Sequence, residues 1–234
     1  MTNIIPNQFF IIDIVEKQLR NRELGLRIIN ELGALRKEFS FSIGVKFNYR
    51  NLSSLLHPEH SDDTGNPGLK WFKEHLLARN DLREFVAAAR EQDLLVIGDA
   101  ADEQSVADIV EDKLDFLSTS ASAFADWPLF ERIVQTELAV ICSMGAPQLD
   151  DVDNLVAFLQ NRRKDFALLH SAAEYDDSRT NGDLHRIDIL KERHPDVRYG
   201  LSTEGRSEQN LSLIMSIAKG CAVFARTVGE SADS

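Results

Sequence analysis

Eight short apolar runs recur along the chain, at residues 9–15, 43–49, 94–100, 116–121, 138–144, 166–172, 197–203 and 221–227. Amphipathic helical patterns separate them, at 20–39, 69–90, 103–112, 128–135, 149–162, 184–193 and 209–219. The first run, Phe-Phe-Ile-Ile-Asp-Ile-Val, is apolar on nearly every residue, which suits a strand covered on both faces, as in a parallel sheet. In 20–39, Leu24, Ile28, Leu32 and Leu35 fall on one helix face. Strand and helix in alternation predict a parallel sheet, and eight strands predict that it closes. The expected fold is α/β, a single-domain (β/α)8 TIM barrel over residues 1–228, with the small polar stretch 229–234 a frayed tail. An open doubly wound sheet also alternates strand and helix, but no Gly-x-Gly-x-x-Gly follows the first run.

Composition narrows the partners. With 38 acidic against 26 basic side chains the formal charge is -12, which disfavours nucleic acid and membrane surfaces, both polyanionic. No apolar stretch approaches the roughly 20 residues that span a bilayer. The N-terminus has no basic segment before an apolar one, so a cytoplasmic location is expected. Cys142 and Cys221 both lie in apolar runs and read as free buried thiols rather than a disulfide.

In a barrel, chemistry sits at the C-terminal ends of the strands. Those ends carry Asp13, Lys46, Asn48, Asp99, Ser118, Ser120, Ser143, His170, Ser202, Glu204 and Arg226. Lys46 stands out, because a charge between Val45 and Phe47 is costly to bury without a partner. It either holds an anionic substrate group as a point charge or forms an interior salt bridge with Asp13. His170, in Leu-Leu-His-Ser, is either a hydrogen-bonded core residue or a ligand. The irregular stretch 50–68, with His57 and His60, follows the second strand and reads as a lid or an insertion over the functional face.

These residues resemble the N-terminal barrel of the sialic acid synthase family, the N-acetylneuraminate synthases and their legionaminate and pseudaminate relatives. Val45-Lys46-Phe47-Asn48 is similar to that family's V-K-F-Q, Asp102-Glu103-Gln104-Ser105-Val106 to D-E-x-S-V, and Asp126-Trp127-Pro128-Leu129 to N-x-P-L. Ile141-Cys142-Ser143-Met144-Gly145 is similar to I-L-S-T-G, and Leu168-Leu169-His170-Ser171 to L-L-H-C, with Tyr175 at the tyrosine of the following Y-P. Tyr199-Gly200-Leu201-Ser202 and the Gly220 that opens the eighth run complete a collinear series.

The resemblance implies a transferase that condenses phosphoenolpyruvate with an N-acyl aldose such as N-acetylmannosamine, with manganese or magnesium. It implies Asp13, Lys46 and His170 as catalytic residues. It implies Asn48, Ser143, Tyr175 and Arg226 as substrate contacts, and His170 with Glu204 at the metal. Asp13 would be the third ligand. The expected partner is a sugar or sugar acid, with a homodimer or another chain standing in for the antifreeze-like domain that full-length synthases carry after the barrel. The sequence also departs from the family pattern. Gly98-Asp99-Ala100-Ala101 replaces the phosphate-cradling S-T-P-F, and Ser118 to Ala123 replaces K-I-x-S-G-E, losing its lysine, serine and glutamate. Glu204 stands for the second metal histidine, and Ala225-Arg226-Thr227 keeps only the basic residue of E-K-H. Phosphoenolpyruvate needs cations and oriented donors. Three readings therefore stand: a divergent synthase, a catalytically degenerate sugar-binding or scaffold relative, and a retargeted lyase or aldolase. The last would use a desolvated, low-pKa Lys46 for a Schiff base.

Overall fold

A computed structural model describes residues 4–55, 59, 65–171, 184–203 and 210–228. Eight strands form one closed barrel in sequential order. They are β1 (Phe9–Ile14), β2 (Ser42–Tyr49), β3 (Leu95–Ala100), β4 (Phe116–Thr119), β5 (Val140–Met144), β6 (Phe166–Ser171), β7 (Arg198–Thr203) and β8 (Val223–Val228). Every neighbouring pair is parallel, including β1 with β8. The helices are α1 (Glu16–Leu19), α2 (Arg22–Glu38), α3 (Leu52–Leu55), α4 (Pro67–His75), α5 (Arg79–Glu91), α6 (Glu103–Glu111), α7 (Trp127–Val134), α8 (Leu149–Asn161), α9 (His185–Arg193) and α10 (Asn210–Ala218).

Side-chain alternation along each strand builds two apolar layers. Phe9, Ile11, Ile97, Phe116, Ile141, Leu169 and Val223 fill the barrel interior, where Phe9 and Phe116 meet at 5.5 Å between ring centroids. Val45, Phe47, Leu117, Cys142, Met144, Leu168 and Leu201 face outward and pack under the helices. Phe85, Val86, Leu129, Phe130, Leu155 and Leu159 supply the helical side of that layer. Each such fully buried side chain stabilises the fold by roughly 1.5–3 kcal/mol relative to exposure. Cys142 and Cys221 are both free and buried, and burial pushes the Cys142 thiol up to about 12.

Helix starts follow local chemistry. The Asp102 carboxylate accepts from Ser105 N at 2.8 Å, and that of Asp126 from Leu129 N at 3.1 Å, capping α6 and α7. The pattern at 20–39 is the single helix α2, started by Asn21, whose side chain accepts from Leu24 N. One predicted helix is divided. The pattern at 69–90 breaks at 76–78, where Leu76 and Ala78 take extended dihedrals that re-aim α5 and bury Leu82, Phe85, Val86 and Ala89.

Candidate active site at the barrel mouth

The interior face of the strands turns polar toward their C-terminal ends. Asp13 and Lys46 are register partners on β1 and β2, and Lys46 Nζ lies 2.7 Å from Asp13 Oδ2. The side chains are only 16% (Lys46) and 22% (Asp13) exposed. Lys46 shares the face of Gly44, whose missing Cβ would lie 2.5 Å from Ile97 Cδ1, so the lysine points inward above the apolar interior. Burial disfavours the ammonium, but Asp13 and Asp99 together outweigh it and hold Lys46 above the ordinary lysine value. Burial raises Asp13, and Lys46 offsets only part of that rise. A Schiff-base lysine needs a depressed pKa, so the direction found here runs against the aldolase reading of Lys46.

Asp99 stands at the third corner. It is 4% exposed, and Ser118 Oγ donates to its Oδ1 at 2.7 Å from the adjacent strand β4. Asn48, the register partner of Asp99, hydrogen-bonds the Glu16 carboxylate. Burial raises Glu16, while Arg50, with Nε 4.0 Å from Glu16 Oε1, and Asn48 pull it down. The Arg50 guanidinium in turn lies 5.1 Å over the Phe72 ring. Glu16 was absent from the residues picked out by strand ends, because it follows β1 at the first position of α1. The signal available was its place three residues after Asp13, on the functional face.

The remaining strands carry hydroxyls on the same inward parity: Ser118, Ser143, Ser171, Ser202 and Thr227. They make an arc across β4 to β8, facing the charged cluster of β1 to β3.

Two residues expected in the mouth lie elsewhere. His170 is buried and pairs in register with Met144 and Leu201, and it alternates with the inward Leu169. It therefore sits on the outward-facing parity, away from Lys46. Arg226 shares the face of Phe224, and its Nη1 donates to Asn210 Oδ1 of α10 at 2.7 Å. Tyr175 and Glu204, like His57 and His60, lie outside the described residues. Among the described residues no group of three or more His, Cys, Asp or Glu side chains could hold a metal ion. Asp13, the one expected ligand that lies inside the mouth among the described residues, has an ammonium at its carboxylate. The described residues do not fit a divalent ion.

Fold and mouth together define a (β/α)8 barrel protein with a charge-paired, hydroxyl-rich site at its strand ends. The family model of the NeuB family matches residues 42–228, well over half the chain, and the protein belongs to that family. A Chromobacterium violaceum structure, named as a spore coat polysaccharide biosynthesis protein E, superposes with a TM-score of 0.88 at 28% identity. That match covers 98% of this chain and 68% of the other. The N-acetylneuraminic acid synthetase of Leptospira borgpetersenii shares the fold, with a TM-score of 0.77 at 15% identity over 97% of this chain and 74% of its own. The N-acetylneuraminate-9-phosphate synthase of Drosophila melanogaster is 23% identical over 132 residues. That is 56% of this chain and 36% of the Drosophila protein, so the match spans about a third of that relative.

Proposed function

We propose that this NeuB-family barrel works in the biosynthesis of surface sugars of the nonulosonate kind. Its mouth takes a neutral sugar, and the chain by itself does not condense phosphoenolpyruvate with N-acetylmannosamine. The names of its relatives, a sialic acid synthetase and a spore coat polysaccharide protein, support the sugar. The observation that carries the second half is the 2.7 Å pair of Lys46 with Asp13, with Asp99 acting on the same ammonium. Phosphoenolpyruvate carries several negative charges and needs unspent cations and donors. Among the described mouth residues, Lys46 faces two carboxylates and Arg50 faces Glu16. A neutral polyol asks for less. The hydroxyls of Ser143, Ser171, Ser202 and Thr227 both donate and accept, as sugar hydroxyls do. The Asp13–Lys46 pair would orient such a ligand by offering one acceptor and one donor side by side.

The test is calorimetric titration of phosphoenolpyruvate and of N-acyl aldoses, with and without manganese, beside a phosphate-release assay on the purified chain. Sugar binding without phosphate release is the expected result. Turnover at ordinary enzyme rates that disappears in Lys46→Ala or His170→Ala would overturn it.

A further inference from the structure

An aromatic row borders the mouth. Helix α4 lies in the connection from β2 to α5, on the face where the strands end. Asn66 starts it, its side chain accepting from Gly68 N at 2.9 Å and Leu69 N at 3.2 Å, with Pro67 in the first turn and Leu69 buried. At about 100° per residue, Phe72, His75 and Trp71 follow one another around the helix within a sector of about 100°. Phe72 lies under the Arg50 guanidinium at 5.1 Å, and Arg50 Nε is 4.0 Å from Glu16 Oε1. Burial raises the Glu16 carboxyl, and His75 is among the groups that pull it back, so this sector of α4 is turned to the mouth. Trp71 and His75 stack, with ring centroids 4.7 Å apart and planes 17° from parallel. Phe72 meets the indole edge to face at 5.4 Å. His75 Nδ1 donates to Trp71 O at 2.8 Å, which fixes the imidazole against the indole. Trp71 is 42% exposed, and with His75 over one face that exposure belongs to the other face and the ring edges.

Resting on the sugar reading of the mouth, we infer that Trp71 is a stacking platform for the ring of a neutral pyranose, held at the rim of the site near Glu16. A single exposed tryptophan would need no explanation. Trp71 differs because its ring is already held, on a capped helix and backed by His75, so little side-chain freedom is left to lose when a ligand covers it. An indole face is electron-rich and attracts the weakly positive C–H bonds of a ligand. A closed sugar ring presents a face of C–H bonds and carries its hydroxyls around the edge. The groups that such an edge requires stand nearby: the Glu16 carboxylate accepts, the Arg50 guanidinium donates, and the Asn48 amide, hydrogen-bonded to Glu16, does both. Glu16 and Arg50 carry opposite charges, as Asp13 and Lys46 do, so an ionic ligand finds its counter-charge already taken. An open-chain polyol has the hydroxyls without the C–H face. The platform therefore selects the ring form.

Calorimetric titration of the whole chain with N-acetylmannosamine reads the contact. Trp71→Ala should weaken binding about tenfold or more, as truncation of an anchoring aromatic does. Trp71→Phe keeps a ring face and should restore most of the affinity. The chain holds two tryptophans, so in Trp127→Phe the tryptophan emission comes from Trp71 alone. That emission should change saturably with the sugar, at the affinity that calorimetry gives, in a protein whose Trp71 is intact. Sorbitol, an open-chain polyol, should bind Trp71→Ala and the wild type alike. Sugar binding that Trp71→Ala leaves unchanged, or Trp71 emission that stays constant while the sugar binds, overturns the platform and leaves the sugar reading standing. A wild type that binds no sugar overturns both.

Discussion

Lys46 and Asp13 sit opposite each other on adjacent strands, 2.7 Å apart, with the buried Asp99 carboxylate on the neighbouring strand acting on the same ammonium. The triangle holds two acids and one base. Removing the base is therefore worse than removing one acid. Lys46→Met leaves two buried carboxylates facing each other, whereas Asp13→Asn leaves Lys46 with Asp99. Breaking a fully buried pair costs about 3–5 kcal/mol, and the residual exposure here reduces that to about 1–3 kcal/mol for Lys46→Met. Urea unfolding should order the variants as wild type, Asp13→Asn, Lys46→Met. The double variant should recover part of the loss. The reverse order would mean that Asp99 does not act on Lys46.

Gly44 makes room for the interior layer beneath that triangle. A Cβ there would stand 2.5 Å from Ile97 Cδ1 and 2.8 Å from Phe9 Cζ. Both contacts are side chains inside a closed barrel, with little room to yield. Gly44→Ala should cost about 1–3 kcal/mol by overpacking, despite the higher strand propensity of alanine. A thermal melt unchanged from wild type would show that Phe9 repacks freely.

The sheet was legible because its signal repeats: eight apolar runs carry the parallel order, and seven helical stretches lie between them. The break at 76–78 was not legible, since the apolar spacing runs on through it and only a change of dihedral marks it. Within the site, Lys46 was found from its apolar neighbours, and Asp13 was named as its partner. His170 was read as inward because it ends an apolar run, but inward and outward faces alternate residue by residue. A run apolar on both faces gives no phase; the interior packing of Leu169 sets it. Glu16 escaped because it belongs to a helix start, where one acidic residue looks like ordinary dipole compensation.

Acid sensitivity should have a component far from the mouth. The hydrogen bond from Arg193 chiefly, aided by His194, holds the Asp153 carboxyl down at about 2, against 3.8 for the free side chain. His194 Nε2 lies 2.7 Å from Asp153 Oδ1. A carboxyl held below its unfolded value stabilises the fold fully above that value, and the contribution fades as pH falls from about 4 toward about 2. Asp153→Asn should therefore flatten the stability profile in that window and change its shape little at neutral pH. Chemical denaturation at a series of pH values would show it, and parallel curves for the two proteins down to pH 2 would refute the assignment.

Asp99 offers the sharpest test of the site. In the family pattern its strand end leads into a phosphate cradle, and here a carboxylate stands 2.7 Å from Ser118 Oγ, buried from water. If that carboxylate keeps anions out, replacing it should let them in. Asp99→Ser removes one buried negative charge, leaves Lys46 with a single carboxylate neighbour, and frees the Ser118 hydroxyl to donate to a ligand. A hydrogen bond to a charged group is worth about 1.5–3 kcal/mol, so affinity for inorganic phosphate or phosphoenolpyruvate should rise about tenfold or more. Asp99→Asn keeps the shape and loses only the charge, so it should recover most of the gain. Titration of both variants at one ionic strength separates the two contributions. Phosphate affinity equal in the wild type and both variants would show that Asp99 does not screen the mouth.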